Sequence, residues 1–406
     1  MKYVLVIPDG CADTPQEHLN GQTPLETAHI PHMDRIAQLG CVGRANNVPR
    51  SLPAGSDVAT ISLLGFDPLQ HYTGRAPLEA AAMGHHLDAS DWAIRCNLVH
   101  VVKEHMIDFT AGHITNSEAE TLLHHLQTTI TQPELRFYPG VSYRNLLIFS
   151  PGRNTSLFNA DTFSTPPHDI TDQLITPHLP SGSGSELLKD LMKHSVDEFA
   201  PHPTNLLRIE NNQMPATMVW LWGLGKRPDL PKFYDRFGVN ACMITGVDLL
   251  RGLALLLGWT ILDVPGATGY LDTDYAAKGR EAVRAIEDFD FVTVHIEATD
   301  EASHEGNAAT KIEALEQIDF HIVGPLLKHL EKQDAYRMLV SPDHPTLLQT
   351  KTHSHGDVPF ALAGTGIKPD SYLCYNENNA ARSAVAFPQG HELMPYFLAG
   401  EIFHNH

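Results

Sequence analysis

Short apolar, β-branched runs alternate along the chain with segments in which apolar residues recur at helical spacing. Continuous apolar runs are typical of strands buried on both faces, and their alternation with helices predicts an α/β protein with a mainly parallel sheet. The predicted strands are 3–7, 146–149, 218–221, 241–244, 291–296, 338–340 and 360–362. The predicted helices are 31–39, 57–64, 118–126, 185–192, 249–257, 275–287 and 308–330.

The pattern changes between residues 84 and 203, where it predicts shorter, more polar strands around one helix. We interpret this segment as an inserted cap domain, and residues 1–83 and 204–406 as one α/β core. Two domains agree with the length of 406 residues, which exceeds what a single core usually holds. Residues 151–184 are rich in Pro, Ser, Thr and Gly and predict a loop or a hinge-like connection.

Composition narrows the possible partners and locations. The formal net charge of -20 disfavours binding to nucleic acid or to anionic membranes. No apolar run reaches the roughly 18 residues that a membrane-spanning helix needs. Five scattered cysteines without a C-x-x-C pair suit a reducing compartment, so we expect a cytoplasmic protein.

Acidic residues follow three of the predicted strands, and two of these acids are close to a histidine. They are Asp9, Asp300 with His304, and Asp343 with His344. Because ligands of open α/β sheets bind at the carboxyl ends of the strands, we expect these side chains to converge. Mixed carboxylate and imidazole donors suit Mn²⁺, Zn²⁺, Fe²⁺ or Mg²⁺, and so many donors indicate two ions, as in many phosphoryl-transfer sites. Taken one at a time, Asp9 would be interpreted as a turn residue and Asp300 as a helix cap. Acidic residues at the ends of three strands together favour a metal site instead.

Ser56 stands at the predicted start of a helix, in PAGSDVATISLLGFDP at 53–68. The positive end of a helix dipole stabilises an oxyanion or a phosphate there. Taken alone, Ser56 is most simply an N-cap residue. Beside a divalent cation, however, a hydroxyl loses its proton more readily and becomes a nucleophile, and we therefore single out Ser56 as a candidate.

A series of motifs spans nearly the whole chain. They are PDG (8–10), GSDVA (55–59), YTGRAPLEAAAMG (72–84), RCNLV (95–99), AGHI (111–114), GVSYRNLL (140–147), WLWGLG (220–225), PGATGYLDTDY (265–275), HIEATDEASHEGN (295–307) and PDHPT (342–346). With these motifs the sequence resembles the cofactor-independent phosphoglycerate mutases of the archaeal type, within the alkaline phosphatase superfamily. The resemblance implies an alkaline-phosphatase-like fold with an inserted cap, a transiently phosphorylated serine and two divalent metal ions. Manganese is the expected metal, with zinc, magnesium, iron and cobalt as alternatives.

The resemblance also assigns roles to individual residues. Ser56 matches the nucleophile. One metal site would consist of Asp9, Ser56, Asp343 and His344, and the other of Asp300, His304 and His353. The family spacing selects His353, five residues before Val358, and His355 is the reserve. This reserve is needed because Gly356-Asp357 stands where the family usually has Asp-Pro, and Leu347 also replaces a usual proline.

A charged phosphoester needs polar and cationic partners, for which arginine is well suited. From their motifs, the candidates for substrate binding are Arg75, His113, Arg144 and Lys278. The alternative for each basic residue is a solvated surface side chain, and for His113 a capping histidine.

The resulting hypothesis is a glycolytic isomerase whose substrate is a small phosphorylated hydroxy acid. It would interconvert 3-phosphoglycerate and 2-phosphoglycerate through a phosphoserine intermediate. TPPHDIT at 165–171 is similar to a bacterial branch of the family proposed to be a homoserine kinase, so a related phosphotransferase is the alternative. A third possibility is a metal-dependent phosphatase or binding protein without a mutase step.

Overall fold

The computed structural model of the protein describes residues 1–152 and 157–399. The strands are β1 (Lys2–Pro8), β2 (Cys41–Ala45), β3 (Trp92–Val102), β4 (His105–Asp108), β5 (Leu135–Val141), β6 (Arg144–Phe149), β7 (Met218–Lys226), β8 (Ala241–Ile244), β9 (Thr260–Ile261), β10 (Phe291–Ile296), β11 (Tyr336–Val340), β12 (Thr346–Leu347), β13 (Thr352–His353), β14 (Val358–Gly364) and β15 (Ala386–Phe387). The helices are α1 (Pro24–Thr27), α2 (Pro31–Leu39), α3 (Ser56–Leu63), α4 (Pro68–His71), α5 (Ala76–Ala82), α6 (Asn116–Thr129), α7 (Ser185–Phe199), α8 (Pro203–Glu210), α9 (Phe233–Phe237), α10 (Asp248–Leu256), α11 (Tyr275–Asp288), α12 (Ala298–Glu305), α13 (Ala308–Ile318), α14 (Gly324–Leu330), α15 (Glu377–Arg382) and α16 (Leu393–Ala399).

The chain divides into two compact units. The first is made of Met1–Tyr72 and Asp229–His406, and the second is the continuous segment Thr73–Pro228. The predicted insertion, 84–203, lies inside the second unit. That unit also contains α5 and β7. Strand β7 belongs to it because β7 pairs along β3. The assignment of the units as a metal-binding core and a substrate-binding cap stays a prediction.

The first unit is built on an eight-stranded sheet in the described part of the chain, with the order β15-β2-β14-β11-β1-β10-β8-β9. All neighbouring pairs are parallel except the two that involve β14. Every residue of β1 after Lys2 is buried, so both faces of the sheet are covered at its centre. The predicted α/β fold with a mainly parallel sheet between helices is confirmed.

The second unit contains an antiparallel sheet. Its central strand β3 pairs with β6 along one side and β7 along the other, while β5 extends the sheet beyond β6. The sequence-based prediction of shorter, more polar strands holds for β4 and β5, but it was wrong for β3, which has 11 residues and a buried middle. The prediction of one helix between residues 84 and 203 was also wrong, because both α6 and α7 lie there. Strands β6 and β7 are apolar runs that pair antiparallel, and an apolar run does not by itself distinguish the two kinds of sheet.

The described residues of 151–184 form loops with two 3-10 turns, Pro167–Ile170 and Thr176–His178, which confirms the predicted loop. Residues 153–156 of this segment lie outside the described part. The whole segment belongs to the second unit, so it is not the connection between the units that was expected. No helix among the described residues is both long and apolar enough to cross a membrane.

Candidate active site

Three adjacent parallel strands of the first unit, β10, β1 and β11, end at one edge of the sheet. Asp9 directly follows β1, Asp300 lies in the first turn of α12 just beyond β10, and Asp343 follows β11. Parallel strands present their carboxyl ends at the same edge, so the predicted convergence of these acids follows from the topology.

Two carboxylates at this edge are fully buried, and each has an oxygen without a hydrogen-bond partner in the part of the chain that the structure describes. Asp343 Oδ1 accepts from the backbone N–H of Gly10 at 3.3 Å and of His344 at 2.9 Å, whereas Asp343 Oδ2 accepts none. Asp9 Oδ1 is likewise unpartnered and lies 3.5 Å from His344 Nε2. Burial, together with the charges of Asp343, Glu297 and Asp300, raises the pKa of Asp9 well above its usual value. Buried carboxylate oxygens with free lone pairs fit a divalent cation, because burying an unpaired charge is otherwise costly.

Ser56 is the first residue of α3 and faces this cluster. The N-cap position belongs to Gly55, and no side-chain capping bond forms there, so the N-cap interpretation of Ser56 was wrong. The hydroxyl of Ser56 instead lies 3.1 Å from His344 Nε2. The whole of α3 is buried, which fixes the position of its first turn. Ser56 therefore presents its hydroxyl to the imidazole of His344 at the sheet edge.

A second group of donors forms around Asp300. Its Oδ2 lies 3.0 Å from His304 Nε2, one helical turn along α12, and 3.5 Å from His353 Nε2. The two imidazole Nε2 atoms are 3.0 Å apart. Burial opposes the ionisation of Asp300, but its hydrogen bonds to the two histidines hold its pKa well below the usual value. The hydrogen bond to Asp300 raises the pKa of His304 to about 9.

His353 lies on β13 beside Asp300, whereas His355 is directed elsewhere. Nε2 of His355 lies 2.9 Å from the carbonyl oxygen of Leu52, and the residue is exposed. Of the two histidines considered from the sequence, His353 is the one that stands among the donor atoms.

The sequence-based prediction missed a third group, formed by His295 and Glu297 around the other oxygen of Asp9. His295 Nε2 lies 2.8 Å from Asp9 Oδ2 and 3.4 Å from Glu297 Oε2. Burial lowers the pKa of His295 to about 3 and raises that of Glu297 to about 8. Both residues stand at the end of β10, so the rule that selected Asp300 would have found them.

Lys278 lies in the first unit and is fully buried, so the interpretation as a solvated side chain was wrong for this residue. Its amine donates to the carbonyl oxygens of His295 at 3.2 Å and Thr268 at 3.4 Å. Burial lowers the pKa of Lys278 to about 8.

The other predicted substrate-binding residues, Arg75, His113 and Arg144, lie in the second unit. His113 and Arg144 are exposed and both lie near the ring of Tyr143, at 6.5 Å between rings for His113 and 5.8 Å for the guanidinium carbon of Arg144. Arg75 is partly buried and precedes α5.

The sequence-based prediction also missed Arg95, a further arginine of the second unit. Its Nε lies 2.9 Å from Glu79 Oε2 and its guanidinium carbon 4.0 Å from the centre of the Trp222 ring. Burial lowers the pKa of Arg95, and the positive charges of Arg75 and Arg144 lower it further. The negative charge of Glu79 acts in the opposite direction. Strand register places Arg144 opposite Asn97, two residues from Arg95, so Arg95 and Arg144 share one face of the sheet.

The fold is that of the cofactor-independent phosphoglycerate mutases. The match to the solved structure of this enzyme from Thermoplasma acidophilum covers 98% of this chain and 99% of that one. Its TM-score is 0.66 and the sequence identity is 24%. The PH0037 protein from Pyrococcus horikoshii matches with a TM-score of 0.82 and 28% identity, over 100% of this chain and 99% of that one.

Sequence comparison leads to the family itself. A family model described as 2,3-bisphosphoglycerate-independent phosphoglycerate mutase matches residues 37–205. The mutase of that name from Methanothrix thermoacetophila is 44% identical over 98% of this chain and 100% of its own length. A probable mutase from Geobacter sulfurreducens is 41% identical over the same shares. The chain belongs to the 2,3-bisphosphoglycerate-independent phosphoglycerate mutase family, as its motifs predicted.

Proposed function

We propose that the protein is a phosphoglycerate mutase that interconverts 3-phosphoglycerate and 2-phosphoglycerate through phosphorylation of Ser56. The observation that carries the proposal is the Ser56 hydroxyl, held 3.1 Å from His344 Nε2 at the start of a buried helix. The names of relatives at 41–44% identity over nearly the whole chain support the same reaction. A cytoplasmic location stays a prediction.

Two groups of side chains are proposed to hold divalent ions, with Mn²⁺ as the expected metal. The unpartnered oxygens of Asp9 and Asp343 support one site, which also includes Ser56 and His344. The proximity of donor atoms from Asp300, His304 and His353 supports the other. Bound divalent ions would supply positive charge that lowers the pKa of the serine hydroxyl and stabilises phosphoryl oxygens.

The chain's own groups account for the exchange of the phosphoryl group. Ser56 Oγ forms a bond to phosphorus while the bond from phosphorus to the substrate's ester oxygen breaks. The serine loses a proton and the released glycerate hydroxyl gains one, so the half-reaction is balanced. Reversal onto the other glycerate oxygen restores the free serine. The first turn of α3 directs backbone N–H groups towards Ser56, which favours a dianionic phosphate there. Substrate binding by Arg75, His113, Arg144 and Lys278 stays a proposal.

The test compares Ser56→Ala with Ser62→Ala, a buried serine of the same helix, in a coupled assay of 3-phosphoglycerate conversion. Turnover should fall by several orders of magnitude in Ser56→Ala and stay near the wild-type level in Ser62→Ala. Acid quenching of wild type with substrate, followed by peptide mass mapping, should place phosphate on Ser56. Near-normal turnover of Ser56→Ala would refute the covalent route.

The same preparation should be assayed for ATP-dependent phosphorylation of homoserine, the alternative raised by TPPHDIT. Phosphorylation of homoserine without mutase turnover would show that the proposed substrate is wrong. It would not decide whether Ser56 is phosphorylated during the reaction. Treatment with a chelator should abolish mutase turnover, and Mn²⁺ should restore it. Full activity of rigorously metal-free protein would refute the metal sites.

A further inference from the structure

Thr346 lies between the two proposed metal groups and is fully buried. Its hydroxyl is hydrogen-bonded to Asp300 Oδ1 and lies 3.2 Å from His344 Nδ1. On β12 it pairs directly with His353 of β13. One hydroxyl group therefore contacts a ligand of each proposed site.

The number of available protons determines the direction of both contacts. An ionised carboxylate only accepts hydrogen bonds, and a hydroxyl has a single proton to donate. The Thr346 hydroxyl therefore donates to Asp300, and its oxygen accepts from His344 Nδ1–H. A neutral imidazole carries one N–H, so Nε2 of His344 keeps its lone pair.

That lone pair points into the other donor group. Nε2 of His344 lies 3.1 Å from Ser56 Oγ and 3.5 Å from both Asp9 Oδ1 and Asp343 Oδ2. A metal-binding histidine is usually fixed in its tautomer by a hydrogen bond from the other ring nitrogen. We propose that Thr346 is a positioning residue that sets the tautomer of His344 and ties its orientation to that of Asp300. This inference rests on the metal sites of the proposed function.

The backbone around Thr346 keeps the hydroxyl in place. Its carbonyl oxygen accepts from Lys311 Nζ at 2.9 Å, and its N–H donates to the carbonyl oxygen of Gly10 at 3.3 Å. Gly10 has φ +61°, and a Cβ there would come within 2.6 Å of Thr346 Oγ1 and 2.4 Å of Asp300 Oδ1. The PDG glycine thus leaves just enough room for this hydrogen bond, and a side chain at position 10 would displace it.

The test uses Thr346→Val, which keeps the branched shape without the hydroxyl, and Thr346→Ser, which restores the hydroxyl. In metal-free protein with ¹⁵N-labelled histidine, the resonances of His344 are assigned by their loss in His344→Gln. Wild type and Thr346→Ser should show a protonated Nδ1, and Thr346→Val a mixture of tautomers. Calorimetric titration with Zn²⁺ alone should show about 10–100-fold weaker binding in Thr346→Val and near wild-type binding in Thr346→Ser.

A wild-type tautomer together with wild-type Zn²⁺ affinity in Thr346→Val would overturn the inference. If Thr346→Val does not fold, Thr346→Ala removes the same hydroxyl with less steric demand, and the same two measurements apply. Failure of wild type to bind Zn²⁺ or Mn²⁺ at all would count against the proposed function. The tautomer measured in metal-free protein would then still decide whether Thr346 controls His344.

Discussion

Buried charge in the first unit extends beyond the candidate site. Lys311 and Asp13 form a fully buried ion pair at 2.9 Å, and the backbone N–H of Asp13 donates to Glu377 Oε1 at 3.1 Å. Thr23 Oγ1 donates to the other oxygen of Glu377 at 2.7 Å. Burial raises the pKa of Glu377 from 4.5 to about 7, although these hydrogen bonds act in the opposite direction. The Glu377 carboxyl therefore keeps its proton to a higher pH than an ordinary glutamate does.

The pH dependence of stability should therefore contain a contribution from Glu377. Below about pH 4.5 the carboxyl is protonated in both states and has no effect. Between about 4.5 and 7 only the unfolded chain releases the proton, so the free energy of unfolding falls as pH rises. At pH 8, Glu377→Gln should be more stable than wild type by roughly 1–3 kcal/mol in urea titrations, and the difference should vanish near pH 4. The exposed Glu313→Gln is the control, and equal stability of Glu377→Gln and wild type at pH 8 would contradict the assignment.

The sequence predicted Asp9, Asp300 and Asp343 because each lies just beyond a recognisable apolar strand. It overlooked His295, although this residue stands at the carboxyl end of β10, and it missed Arg95, which lies within a strand that the pattern did not reveal. Their partners, Asp9 and Glu79, are distant in the sequence, so only the fold brings them together. The tautomer of His344 was beyond prediction for the same reason, since it depends on a bond from Thr346 to Asp300.

At the level of elements, the helix predicted over 308–330 is interrupted by a π-helical turn. Asp319–Val323 forms this turn between α13 and α14. Its first residue, Asp319, accepts hydrogen bonds from the backbone N–H groups of His32 at 3.1 Å and Met33 at 2.7 Å. These are the first free donors of α2, because Pro31 has none. The carboxylate of Asp319 thus caps the N-terminus of a different helix.

Asp319→Ala should lower the free energy of unfolding by about 1–3 kcal/mol, because the buried N–H of Met33 and the partly buried N–H of His32 lose their acceptor. Asp288→Ala, which removes an exposed acid at the end of α11, should have an effect near zero. Denaturant unfolding followed by circular dichroism measures both. Equal stabilities of the two variants would show that Asp319 does not cap α2.

Uniform burial did not by itself make the boundaries of a strand predictable. Strands β8 and β10, in which every residue is buried, match their predicted bounds, whereas β14, buried except for its last residue, was predicted only over 360–362. Strand β3 was not recognised as a long strand because two polar residues, Arg95 and Asn97, interrupt its apolar sequence. Both are buried, and each has a side-chain hydrogen-bond partner. The π turn leaves no trace in the pattern, because a single wide turn adds only one residue to a helical period.

At the scale of the whole molecule, the continuous second unit should fold alone. Residues 73–228 contain the complete antiparallel sheet and an apolar core that includes Trp220 and Phe199. The fragment 84–203 lacks β7 and so loses the strand that pairs with β3 from Trp92 to Val99. We expect cooperative thermal unfolding of the 73–228 fragment and none of 84–203. Cooperative unfolding of the shorter fragment would favour the boundaries predicted from the sequence.

The position of β1 at the centre of its sheet has a consequence for the synthesis of the chain. Its two partners, β10 and β11, begin at Phe291 and Tyr336, so β1 leaves the ribosome about 280 residues before the first of them. At about 5–20 residues per second, that interval is on the order of 15–60 s. The second unit ends at Pro228 and is complete within this time. Throughout it β1 is an apolar strand with both edges unpaired, the kind of segment that aggregates or binds a chaperone. The yield of folded protein should therefore depend on how well β1 is protected in the nascent chain.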